Sequence, residues 1–242
     1  MTRRVLLLQA GDAPAPVQTA AGGNVPDWFR RALGTQGAQV DVLRVFEGET
    51  VPQDWKNRYA VGVISGSWAM VTDRAPWSEA VAGWIREAVA SDFPLLGVCY
   101  GHQLMAHALG GEVADHPEGI EIGTRTVSLL PGASADPMLS HLPASFPAQL
   151  THYQSVRRMP AGAVRLAESD HDAHQIIRYG ERAMSSQFHP EMTVVELGAI
   201  IGVRREALQG QGLDVAGLEN ALQDTPQARS LLTQFVGRYL EG

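Results

Sequence analysis

The run Val5-Leu6-Leu7-Leu8 is apolar without alternation, the pattern of a short strand covered on both faces of a parallel sheet. Past a Pro/Ala/Gly-rich loop over 11–23, Asn24 is placed to cap a helix through Pro26, Trp28 and Phe29 to Leu33. Gly34 and Gly37 would end it. Residues 39–45 read as a second strand and 59–64 as a third, which runs into Ser65-Gly66-Ser67. A helix is predicted over 76–89, through Trp84 and Ile85, and Leu95-Leu96-Gly97-Val98 makes a fourth strand. Strands that alternate with helices in this way predict right-handed βαβ units: an α/β fold with a mostly parallel central sheet and helices on both faces.

The texture changes between 112 and 184. Short β-prone pieces at 124–129, 149–151, 164–168, 175–179 and 182–186 are separated by proline and glycine, and they predict an antiparallel extension of the sheet. Residues 194–240 are helical in composition, with apolar residues at Leu231, Leu232, Phe235, Val236 and Tyr239 and a break at Gly210 and Gly212. No repeat or linker divides the chain. Residues 1–242 therefore read as one domain, its core over about 5–195 and its C-terminal helices over about 194–242.

Charge removes one class of function. Lys and Arg number 19 against 26 Asp and Glu, a formal −7, so nucleic-acid binding is not expected. With 45% hydrophobic residues the chain can bury a sizeable core, yet no stretch approaches the ~18 apolar residues of a membrane span. Met1-Thr2-Arg3-Arg4 and the residues after it imitate a secretory leader. The apolar run falls short of the ~7–15 residues such a leader needs, and Asp12 soon interrupts it. A cytoplasmic location is expected. The single cysteine, Cys99, excludes an intrachain disulfide and leaves two roles, inert packing or nucleophile.

The surroundings of Cys99 favour the nucleophile. Gly97-Val98-Cys99-Tyr100-Gly101 follows an apolar strand and precedes a helical stretch over 103–109, the context of a nucleophile elbow with sulfur in place of oxygen. At a helix N-terminus, free N–H groups favour thiolate over thiol. A base is then required. His189 and Glu191 lie two residues apart in a segment that reads as extended, so their side chains point the same way and the carboxylate can orient the imidazole. His102, close to Cys99 in sequence, is the rival base.

Gly97-Val98-Cys99-Tyr100-Gly101-His102-Gln103, together with Phe188-His189-Pro190-Glu191, resembles the class I (triad) glutamine amidotransferases over about residues 5–195. The resemblance implies a flavodoxin-like domain with Cys99, His189 and Glu191 as catalytic residues. Ile64-Ser65-Gly66-Ser67 resembles the family's strand-end glycine loop, which implies the backbone amides of Gly66 and Tyr100 as oxyanion donors. Thr151-His152-Tyr153-Gln154-Ser155-Val156 is similar to the family segment, often Ser-His-Gly-Asp-x-Val, whose backbone receives the α-amino and α-carboxylate groups of glutamine. It implies Gln103, His152, Tyr153 and Gln154 as substrate contacts. Tyr153 stands at the usual glycine and Gln154 at the usual acidic residue.

By this resemblance the expected activity is hydrolysis of the γ-amide of glutamine to glutamate and ammonia through a Cys99 thioester, with no metal or organic cofactor. The ammonia would go to a separate synthase subunit, since too little chain follows Glu191 for a nucleotide-activating domain. Alternatively the chain acts alone as a γ-glutamyl peptidase. Gly66-Ser67-Trp68 and Trp77 are most similar to free-standing proteins that resemble the amidotransferase domain of GMP synthase, some of them γ-glutamyl peptidases. Two competing classes are a non-catalytic regulatory subunit, which would keep the pocket without the chemistry, and a second cysteine-elbow family, which lacks the Phe-His-Pro-Glu segment.

Other features carry less. His171 with His174, and Asp115, His116 and Glu118, lack a matched metal-ligand spacing. Gly22-Gly23-Asn24 has no Gly-x-Gly-x-x-Gly, so no nucleotide site is expected. Trp68, Trp77 and Trp84, with Met70, read as core or as the approach to the glycine loop.

Overall fold

In the computed structural model, which describes residues 4–240, alternate side chains of the first strand enter two different cores. Val5 and Leu7 pack with Trp28, Phe29 and Phe235, whereas Leu6 and Leu8 pack with Tyr59, Ile85 and Tyr100. Both faces are covered by apolar clusters, so the strand has no wet side and its sequence no polar alternation.

The chain runs β1 (Arg4–Gln9), α1 (Ala15–Ala21), α2 (Val25–Leu33), β2 (Val40–Arg44), α3 (Trp55–Arg58), β3 (Tyr59–Ile64), α4 (Pro76–Ala90), β4 (Leu95–Val98) and α5 (Tyr100–Ala108). It continues through β5 (Glu112–Asp115), β6 (Glu121–Leu129), β7 (Ser145–His152), β8 (Gln154–Arg158), β9 (Val164–Glu168), β10 (Ile176–Arg178) and β11 (Ala183–Ser186). Three helices close it: α6 (Val194–Gly210), α7 (Val215–Asn220) and α8 (Pro226–Leu240). Nine strands form one sheet in the order β2-β1-β3-β4-β11-β10-β9-β6-β7, and β5 pairs with β8 in a separate two-stranded ribbon. The first five strands of that order are mutually parallel and the remaining pairings antiparallel.

The α/β class and the antiparallel extension are as the sequence predicts; the β5–β8 ribbon is not among the predicted strands, and three further differences are local. The segment 182–186, expected among the antiparallel strands, pairs antiparallel with β10 but parallel with β4. It completes the parallel half, and all four residues of β11 are buried there. The Pro/Ala/Gly-rich loop contains α1, because prolines tolerate a helix's first turn and Gly22 closes the last one at φ +63°. The helix expected over 103–109 begins at Tyr100, directly after Cys99.

The C-terminal helices are tied to the rest of the chain by named contacts. Thr193 and Glu196 form a reciprocal capping box at the start of α6, and the buried Glu196 carboxylate also pairs with Arg31 of α2 at 2.7 Å. Leu197, Ile201 and Leu208 of α6 join Ile122 of β6 and Leu218 of α7 in a smaller core, against which Tyr153 packs. No helix among the described residues is long and apolar enough to cross a membrane. The Met1-Thr2-Arg3 part of the leader-like stretch and the last two residues of the C-terminal region lie outside the described residues.

Candidate active site

Three neighbouring parallel strands, β3, β4 and β11, deliver the candidate residues to one end of the sheet. Gly66 follows β3, Cys99 follows β4, and His189 follows β11. In an open α/β sheet such carboxyl-end crevices are where ligands bind. The pairing also fixes the spacing: the Cys99 N–H donates to Ser186 O of β11 at 2.8 Å, and the His189 N–H donates to Gln149 O of β7 at 2.9 Å. Ser186 Oγ in turn donates to Phe188 O at 3.0 Å.

Cys99 sits at φ +50°, ψ −100°, as the N-cap of α5. A side chain rarely adopts this backbone, and it is maintained here by close approach on both sides. A Cβ on Gly97 would lie 2.5 Å from Gly101 O, and one on Gly101 would lie 2.5 Å from Ile64 O. Both obstacles are backbone atoms with no freedom to swing aside. Gly101→Ala is therefore expected to destabilise the fold by about 1–3 kcal/mol through overpacking; an unchanged urea midpoint would contradict the steric argument.

Gly66 is equally confined. A Cβ there would lie 2.8 Å from His189 Cε1 and 3.6 Å from Cys99 Cβ, which puts glycine loop, imidazole and thiol in one cluster. Flanking serines pin the loop to the end of β1. Ser65 Oγ accepts the Ala10 N–H at 3.0 Å, and Ser67 Oγ donates to Ala10 O at 2.8 Å. These two serines position the loop, a role the sequence did not suggest. Tyr100 opens α5, so its amide has no carbonyl one turn earlier within the helix.

His189 and Glu191 are both nearly inaccessible, and Nδ1 lies 2.7 Å from Glu191 Oε1. The other ring nitrogen, Nε2, is buried with no hydrogen-bond partner of normal geometry. Burial alone would discharge the imidazole, yet the charges of Glu191 and Cys99 hold its pKa up, to about 10. Burial likewise pushes the Cys99 thiol up. The His189 charge and hydrogen bonding outweigh it, with a smaller pull from His152, and leave the thiol below its ordinary value. The two directions agree on a thiolate–imidazolium pair.

His102, the rival base, is fully buried beside Ser185 Oγ at 2.7 Å, and burial lowers its pKa to about 3. It is a neutral core histidine.

The candidate substrate contacts are mostly engaged within the protein. Gln103 Nε2 donates to Gln154 O at 2.6 Å and to Gln187 Oε1 at 3.0 Å. Gln154 Nε2 donates to Thr72 Oγ1 at 2.6 Å and Asp115 Oδ1 at 2.9 Å. His152 has Gln154 O 3.0 Å from Nδ1 and Glu121 Oε2 2.9 Å from Nε2. Both neighbours only accept, so both ring nitrogens carry protons and His152 is a buried imidazolium. Burial opposes that charge, and the Glu121 hydrogen bond and charge restore it above the ordinary range. Tyr153 faces a cation, with Arg204 Cζ 5.3 Å from its ring centre.

Other sequence candidates find their places. Trp68 lines the cavity beside Gly66, while Trp77 stacks on Tyr100 and Trp84 packs on Trp55 and Phe93. His171 stacks on His116 at 4.0 Å. Among the described residues no three His, Cys, Asp or Glu side chains converge as a metal site.

This geometry has clear relatives. The family model for the class I glutamine amidotransferases matches residues 21–201, three-quarters of the chain. The chain belongs to that family. It is 28% identical to γ-glutamyl peptidase 5 of Arabidopsis thaliana, over 97% of this chain and 95% of the relative. It is 33% identical to a subunit of the glutamine-hydrolysing GMP synthase of Methanopyrus kandleri, over 70% of this chain and 85% of the relative. The fold matches that of a glutamine amidotransferase from Thermotoga maritima with a TM-score of 0.77, at 23% identity and over the whole of both chains.

In this member of the family, the cavity at the candidate site is walled by Trp28, Gly66, Trp68, His189, Met192 and Arg204. A wider surface cleft bounded by Tyr59, Asp92 and Arg182 lies at the amino ends of the same strands and holds none of these groups. Arg204 had no sequence signal: one of two adjacent arginines on a helix reads as a solvated face.

Proposed function

We propose that the protein hydrolyses the amide bond at the γ-carbonyl of a γ-glutamyl compound through a thioester on Cys99. The observation that carries this reading is the strained elbow holding Cys99 beside the buried His189–Glu191 pair, with Gly66 packed against both Cys99 and His189. In the first half-reaction the thiolate attacks the γ-carbon. The carbonyl electron pair moves onto oxygen, where the Gly66 and Tyr100 amides stabilise it; such donors contribute about 10²–10³ in rate. As the C–N bond breaks, the departing nitrogen takes the proton of His189 Nε2. The now neutral imidazole removes a proton from water, the hydroxide displaces sulfur, and glutamate leaves with the thiolate restored. Glu191 holds the ring in one tautomer throughout.

Two leaving groups fit this chemistry. Glutamine releases ammonia, which a separate synthase subunit would consume, as the likeness to part of a GMP synthase suggests. A γ-glutamyl peptide releases an amino acid or peptide. That second substrate class is favoured by a likeness to a γ-glutamyl peptidase that extends over nearly the entire chain, C-terminal helices included. Comparing ammonia release from glutamine with amine release from γ-glutamyl dipeptides separates them, and release from neither would remove the hydrolytic reading.

The charge pair sets the pH profile. Because the thiol pKa is lowered, the thiolate is populated above that depressed value; because the His189 pKa is raised to about 10, the imidazolium persists up to it. kcat/KM is expected to rise as Cys99 ionises on the acid side, hold a broad plateau through neutrality, and fall as His189 deprotonates. A narrow optimum with limbs near about 6.5 and 8.5, the ordinary imidazole and thiol values, would contradict the pair.

A further inference from the structure

Arg204 is a half-buried cation on the wall of the cavity at the candidate site that pairs with no carboxylate among the described residues. Its Nη1 is buried and makes no hydrogen bond. Burial lowers its pKa, and the groups that act back on it are Tyr153 and Cys99, neither of them a carboxylate. It shares the cavity wall with Gly66, Trp68, His189 and Met192. The Tyr153 ring, 5.3 Å from the guanidinium carbon, gives it a platform, and Tyr153 Oη is itself held by Gln211 Nε2 at 3.2 Å.

Burying a guanidinium N–H group such as Nη1 with no acceptor is unfavourable, and an anion of matching geometry would satisfy it. The fork of a guanidinium matches a carboxylate. Its place beside His189 identifies which carboxylate, because His189 is the group that protonates the departing amine. Ammonia leaving from glutamine carries no carboxylate, whereas an amino acid leaving from a γ-glutamyl dipeptide carries one.

Building on the hydrolytic reading above, we propose that Arg204 receives the carboxylate of the leaving amino acid and makes the protein selective for γ-glutamyl amino acids and short γ-glutamyl peptides over glutamine. The balance is that of hydrolysis: the amide C–N bond breaks, water supplies OH to the glutamyl carbon, and the amine leaves protonated with its carboxylate paired to Arg204. Tyr153, at the position where the family commonly has glycine, serves this specificity by supporting Arg204.

The test compares γ-glutamylglycine with γ-glutamyl methylamide, which lacks the leaving-group carboxylate, in the wild type, Arg204→Met and Arg204→Lys. In Arg204→Met, kcat/KM for the dipeptide is expected to fall about 10- to 100-fold further than for the methylamide, mainly through KM, with partial recovery in Arg204→Lys. Equal losses on both substrates would overturn the proposal by moving Arg204 to the glutamyl end, and so would no loss. Calorimetric binding of both compounds to the non-hydrolysing Cys99→Ser protein, with and without Arg204→Met, separates this proposal from the reaction itself. Arg204-dependent binding of the dipeptide without turnover in the wild type would sink the hydrolytic reading and leave the carboxylate site. Dipeptide binding no tighter than methylamide binding, or none, would sink the carboxylate site. A melt of Arg204→Met at or above the wild-type temperature shows that the fold is intact.

Discussion

Serine in place of Cys99 is expected to lower γ-glutamyl hydrolysis by about 10⁴-fold or more, the scale of losing a nucleophile from a group that acts as a unit. The swap is nearly isosteric, and the side chain is buried at the end of β4 with its backbone held by Ser186 O. Folding should therefore survive, with the melting temperature close to that of the wild type. What disappears is the ion pair: a hydroxyl does not ionise beside His189 as a thiol does, so the imidazole reverts to a group without an anionic partner on that side. Parallel assays of amine release and thermal melting check both halves. Activity within ten-fold of the wild type, in a folded protein, would rule out the thioester.

A second large effect is expected in stability. His152 is an imidazolium held between Gln154 O and Glu121, and Glu121 also accepts from Ser169 Oγ at 2.7 Å and Gln175 Nε2 at 2.9 Å. Both members of the pair are almost wholly buried. Glu121→Leu strands a buried positive charge and two donors at once, and a loss of about 3–5 kcal/mol is expected in urea unfolding at neutral pH. The double variant Glu121→Leu/His152→Leu should recover much of that loss, because it removes the uncompensated charge as well. A single-variant loss below about 1 kcal/mol would show that the pair is not ionised as described.

The predictions draw on different depths of the sequence. The Cys99 elbow was legible because its two glycines are required by backbone collisions, which sequence records directly as Gly97 and Gly101. His189 and Glu191 were legible as a pair from their i,i+2 spacing, although the segment that carries them is a turn, with the Met192 N–H 3.4 Å from His189 O, and not the extended segment the sequence predicts. Their approach to Cys99 was not, since it depends on β11 lying beside β4, and a short β-prone piece does not say which neighbour it takes or in which direction.

Gln103, Gln154 and His152 show a different limit. The family resemblance marks the backbone of 151–156 and Gln103 for substrate, while the side chains of Gln103, Gln154 and His152 bond to protein partners contributed by other elements: Gln187, Thr72, Asp115 and Glu121. No local pattern announces a partner 30 or 80 residues away in sequence. Arg204 was missed for the converse reason. Composition put it in a helical region, but only the docking of α6 turns that position toward the cavity. In α1 the composition misled: prolines that break a helix interior are well suited to its first turn.

The most direct measurement is mass spectrometry of the protein after exposure to a glutamine-derived diazo or chloroketone affinity label, with hydrolysis followed in the same sample. One label per chain, located on Cys99, with activity lost in proportion, is the predicted result. Hydrolysis that continues while Cys99 is fully labelled, or inactivation that tracks a label on any other residue, would contradict a Cys99 thioester.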